Sequence, residues 1–170
     1  IAVALFSVVM TICVGSLLSL VDASRKAQAL QSVMSNLNST IDGMVRSLRM
    51  GSNYRVVSQT ELSFTPYGAD PNDDSKRWVY KWEDTDGDLN PDRITKRYTP
   101  KGFSNPVTVN MTGSDVEINY VRFYVEGEST LDLTQPRVLI IIRGLAGAEK
   151  QKTKTEFNIQ ASATQRILDI

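Results

Sequence analysis

No charged side chain occurs between Ile1 and Val21, IAVALFSVVMTICVGSLLSLV, and this run constrains the chain more than any other feature. At a rise of about 1.5 Å per residue it spans roughly 31 Å as a helix, about the hydrocarbon thickness of a bilayer. Its polar atoms belong to Ser7, Thr11, Ser16 and Ser19, whose hydroxyls can bond to carbonyls one turn earlier. A helix of this length in a soluble domain normally shows a polar stripe, and this one has none. The run therefore reads as a helix that seats Ile1, Leu5, Phe6, Val9, Ile12, Leu17 and Leu20 in lipid or in a bundle of like helices. A secretory signal peptide would open with basic residues and close on a small-residue cleavage site, and helix pattern continues here instead.

Asp22, Arg25 and Lys26 mark the exit from the apolar layer, and no proline intervenes before Met50. Leu30, Val33, Met34, Leu37, Ile41, Met44, Val45 and Leu48 recur at three- and four-residue steps, which makes one apolar stripe. Leu30, Met34, Leu37, Ile41, Val45 and Leu48 are expected to pack on a sheet. The other side carries Gln28, Gln31, Ser35, Asn38, Asp42 and Arg46, a solvated face. Gly51 stands where a helix cap belongs, with Arg46 and Arg49 suited to the negative end of the helix dipole. Gly15 and Gly43 weaken this rod, and mark either close packing against a neighbour or a place where it stretches or bends.

After Gly51 the period shortens to near 2, with turn residues between apolar runs. Strands are expected over 55–57, 61–65, 77–83, 93–98, 107–111, 116–126, 137–143 and 152–160, with the six prolines between them or at their edges. Val138 to Ile142, VLIII, reads as a central strand covered on both faces, Phe157 and Ile159 as alternate residues of a half-exposed one. The stretch 67–76 reads as loop and Gly144 to Gly147 as a turn. The expected class is α+β: a long helix, membrane-spanning over 1–21 and amphipathic over 22–51, packed on an antiparallel sheet domain over 52–170.

With no histidine anywhere, Ser-His-Asp and Cys-His catalysis and most zinc sites are excluded, leaving only carboxylate-pair or Ser-Lys chemistry for an enzyme. The single cysteine, Cys13, forbids an intrachain disulfide. Nineteen basic and nineteen acidic residues cancel, with no cluster to advertise nucleic-acid binding. The densest chemistry is DTDGDLNPD: Asp84, Asp86, Asp88, Asn90 and Asp92 offer hard oxygen ligands of the kind Ca²⁺ selects. The spacing departs from the acidic calcium repeats at Gly87 and Leu89, and the plainer reading of the same residues is a β-hairpin turned at Asp86-Gly87. Trp78, Tyr80 and Trp82 share one side of their strand, as a ligand platform or as core.

An apolar opening helix continuing through Arg25, Ala27, Gln28, Ala29 and Leu30 into an amphipathic one, then a β-rich domain, resembles type IV pilins and the pseudopilins of type II secretion. The likeness is to minor subunits of the PulJ/GspJ and PilW kind, and the tail FNIQASATQRILDI resembles their final strand. The resemblance implies a non-enzymatic structural subunit of a pilus or secretion filament. It implies bacterial inner-membrane insertion, processing and N-methylation by a prepilin peptidase upstream of Ile1, and assembly with other pilins through the helix. The competing readings are a bitopic envelope protein with a ligand- or calcium-binding domain, and an envelope hydrolase working without histidine.

Overall fold

A computed structural model of the chain describes residues 1–84, 87, 91–113, 116–128, 134–146 and 154–166, apart from the side chain of Ala29. Helix α1 runs unbroken from Ala2 to Met50, 49 residues. It ends at Gly51, whose backbone is extended (φ −84°, ψ 176°) rather than left-handed as in the commonest caps. Glycine is needed there for space, since an added Cβ would lie 2.5 Å from Cδ2 of Phe64. Two residues on, Asn53 takes a left-handed backbone, with φ 52°.

The strands are β1 (Ser52–Ser58), β2 (Glu61–Thr65), β3 (Trp78–Glu83), β4 (Arg93–Tyr98), β5 (Val107–Asn110), β6 (Val116–Glu126), β7 (Arg137–Ala146) and β8 (Thr155–Thr164). They form two antiparallel sheets rather than the single one expected, β1-β2-β3-β4-β5 and β6-β7-β8. The chain is thus α+β, a long N-terminal helix packed on antiparallel sheets. The sheets are stitched by main-chain bonds from Phe123 N to Gln59 O and from Ile118 N to Asp92 O, both 2.9 Å, and by the Trp82 indole on Ile118 O at 3.1 Å.

Gly144, Leu145 and Ala146 belong to β7, so the turn expected there is a strand; Gly147 lies outside the described residues. Gly144 reads as punctuation in sequence, yet it answers to packing. An added Cβ would meet Glu117 O at 2.3 Å and the Phe157 ring at 2.8 Å, beside the bulge in β6 between Ile118 and Tyr120. Strand β7 is central, as expected, but covered on one face only. Val138, Ile140 and Ile142 are buried, whereas Leu139 and Ile141, paired with Tyr124 and Arg122 of β6, are only half-buried.

A single apolar core joins helix and sheets. Val33, Leu37, Ile41, Met44 and Leu48 are buried, and Leu30, Met34 and Val45 pack partly buried at its edge. They meet Phe64, Tyr80 and Ile94 of the first sheet and Val121, Phe123, Ile140 and Phe157 of the second in one cluster. At about 2 kcal/mol for each fully buried aliphatic side chain, this stripe contributes on the order of 10 kcal/mol toward holding the helix. Trp78, Tyr80 and Trp82 face this core, and Phe64 lies 5.9 Å from the Trp78 ring and 5.5 Å from that of Tyr80.

Candidate functional site

Helix α1 is one element in two environments. From Ile1 to Leu20 every residue is exposed, including Leu5, Phe6, Val9, Ile12 and Leu17; Ile1 reaches 107% and Leu20 71% of full exposure. Two of the four hydroxyls in this stretch close on their own helix, Ser7 donating to Val3 O at 2.9 Å and Thr11 to Ser7 O at 2.8 Å. The helix is long and apolar enough to cross a membrane, with a mean hydropathy of 2.3 over its best window and none of that window buried. Asp22, Arg25 and Lys26 are exposed where the apolar surface ends. An added Cβ at Gly15 or Gly43 meets nothing within 4 Å inside the subunit.

The other end of α1 is fixed by polar contacts that its sequence did not announce. The Tyr54 hydroxyl lies 2.5 Å from Leu48 O, which also accepts the Gly51 amide at 3.0 Å, and 2.8 Å from Gly51 O, so its one proton lies between two carbonyls at the helix end. Burial raises the pKa of this hydroxyl far above the ordinary tyrosine value. Thr40 donates to Met111 O at 2.7 Å, and Arg166 N, just after β8, donates to Arg49 O at 2.8 Å. No periodicity marks a tyrosine beyond the cap as a capping group, so only the structure reveals it.

The acidic stretch joins β3 to β4, which pair as a hairpin with Trp82 opposite Ile94 and Glu83 opposite Arg93. Of the five oxygen donors, Asp86, Asp88 and Asn90 lie outside the described residues. Asp84 accepts the Gly87 amide at 2.7 Å, and Gly87 takes φ +86° as a turn glycine. Asp92 contacts its neighbour Arg93 at 3.1 Å, and its main chain bonds to Glu83 O and receives Ile118 N. Among the described residues no group of three carboxylates or thiols is assembled for a metal ion. The pairing of β3 with β4 is that of a hairpin, and Asp84 and Asp92 both make contacts at the described ends of its connection.

The chain matches no protein-family model, and no curated protein or solved structure is similar to it.

Proposed function

We propose that this chain is a structural subunit of a type IV pilin-like filament, a minor pilin or pseudopilin, held in the bacterial inner membrane by its first helical half before assembly. The observation that carries the reading is the division of α1: bare and apolar to Leu20, and buried along one stripe from Val33 to Leu48. A rod apolar on all sides is satisfied by lipid or by sister rods, and exchange between them exposes no apolar surface to water. The domain is clamped to the second half, so it travels with the rod and forms the outside of the fibre. The likeness at Arg25 to Leu30 supports the same reading. In this role the protein has no catalytic task, and its partners are other pilins, the bilayer and a prepilin peptidase.

Cys13 supplies the test, being the one cysteine and exposed on the bare half. In cells with an active assembly machine, a bismaleimide is expected to join Cys13 to a cysteine placed in the corresponding helix of a co-assembled pilin. The product should be recovered in sheared filaments, and should vanish without the assembly ATPase. Retention in the membrane in both cases, with no cross-link, would favour a bitopic envelope protein carrying a ligand-binding domain.

A further inference from the structure

The outer face of the first sheet, turned away from α1, holds a cleft of about 490 Å³ bounded by β1 to β4 and the short 3₁₀ turn Asp74–Lys76. At its base lies Arg77, only 8% exposed. Its guanidinium donates to Ser63 Oγ at 2.7 Å, to Asn53 O at 2.7 Å and to Thr65 Oγ1 at 3.4 Å. All these acceptors are neutral. Among the described residues no carboxylate oxygen comes within 4.0 Å of it, and Asp74, the nearest acid acting on it, pairs instead with Arg55 at 3.9 Å with both side chains largely in water.

The three hydrogen bonds explain where Arg77 sits but bring no anion into contact with it, and Asp74 favours its charged form only from beyond ion-pair distance. A buried guanidinium without an anion is rare because desolvation penalises the charged form. Burial and the neighbouring charge of Arg55 both depress its pKa. A second cation lies close by. Val79 pairs with Arg97 across β3 and β4, which sets Arg97 diagonally opposite Arg77 on the same face, exposed and with no ion pair among the described residues, though the Glu83 carboxylate acts on it at longer range. Ser104 brings a hydroxyl to the cleft wall, while Val57, Val79 and Pro106 form an apolar lining that strengthens any charge interaction made against it. Glu61 and Asp74 also border the cleft, so its two acids equal its two arginines in number, with Asp74 paired to Arg55 outside the lining.

We propose that this cleft is an oxyanion-binding site in which Arg77 and Arg97 together hold a carboxylate or phosphate group. Arg77 is held in place before the ligand arrives, and its fork presents planar N–H donors of the kind that match either group. Arg97 comes from the solvent side and closes over the ligand. The site lies across the sheet from the helix and does not depend on the filament reading.

The test uses the full chain in detergent micelles, with inorganic phosphate or acetate compared against chloride at equal ionic strength. At tenfold over its dissociation constant, a bound anion should raise the unfolding midpoint by about 3 to 6 °C. The rise should be lost in Arg97→Gln, an exposed position whose midpoint in chloride should match the parent. The Arg77 Nε–H resonance should shift on titration in the parent chain. A response to phosphate alone assigns a tetrahedral ligand, and one to acetate as well assigns a carboxylate; either supports the site. No rise with either anion, or an equal rise in Arg97→Gln, overturns it.

Discussion

Replacing one leucine in each half of α1 separates the two environments of the helix. Leu37 is 1% exposed inside the core, so Leu37→Ala removes nearly the whole buried side chain. The lost transfer free energy and the cavity left behind together cost about 3 kcal/mol. For a chain of this size that lowers the unfolding midpoint by about 6 to 12 °C. Leu17 is 64% exposed on the bare half, and Leu17→Ala keeps helix propensity while removing no contact with the domain. Its cost to domain stability is expected to stay below about 0.5 kcal/mol. Tryptophan fluorescence is the natural probe, because both tryptophans, Trp78 and Trp82, sit in the domain and flank its core. Equal destabilisation by the two variants would show that the first half of the helix is folded into the globular body, and the division of labour along α1 would be refuted. A Leu37→Ala cost under about 1 kcal/mol would refute the claim that the stripe clamps the domain.

Four further outcomes are expected. Gly43→Ala should stabilise the isolated subunit by about 1 kcal/mol in denaturant unfolding, because an added Cβ meets open space; a simultaneous loss of assembly would place a neighbouring subunit against this position. Gly144→Ala should cost about 2 kcal/mol or more, since its methyl would press on Glu117 O and the Phe157 ring; a neutral result would mean that β7 can shift freely there. Tyr54→Phe should lose about 1 to 2 kcal/mol, read from the unfolding midpoint, by taking the hydroxyl from the carbonyls of Leu48 and Gly51. Burial pushes the Tyr80 hydroxyl up to about 12 from 10.0, so between those pH values the unfolded chain releases a proton the folded one keeps. Stability should therefore fall through that window by up to about 1.4 kcal/mol per pH unit from this residue, and Tyr80→Phe should flatten the slope relative to the parent in alkaline unfolding curves.

Much of this architecture is local and therefore readable from sequence. The three-to-four-residue recurrence from Leu30 to Leu48 gives the buried side of α1, because a helix repeats its faces at that interval. The bounds of β2, β4 and β6 follow from alternation flanked by turn residues. What stayed hidden depends on partners distant in the chain. The division into two sheets arises from pairing choices that alternation cannot rank, and Gly144 looked like a turn because the reason for a glycine there lies on Glu117 and Phe157. Gly51 was legible as a helix end, but the reason it must be glycine lies in the Phe64 ring, thirteen positions on in sequence and adjacent in space. Arg77 gave no signal at all. It looks like any strand-edge cation, and only the burial imposed by Asn53, Ser63 and Thr65 sets it apart.

The polar fastening at the base of the helix has a mechanical consequence. Tension applied to the apolar end of the rod reaches the domain where Tyr54 and Arg166 hold the last helical carbonyls, and where Thr40 grips the segment after β5. These ties arrive from β1, from the end of β8 and from the far side of the first sheet, so a pull spreads over several anchors at once. Such a joint resists being peeled, and the domain follows the rod as a single piece.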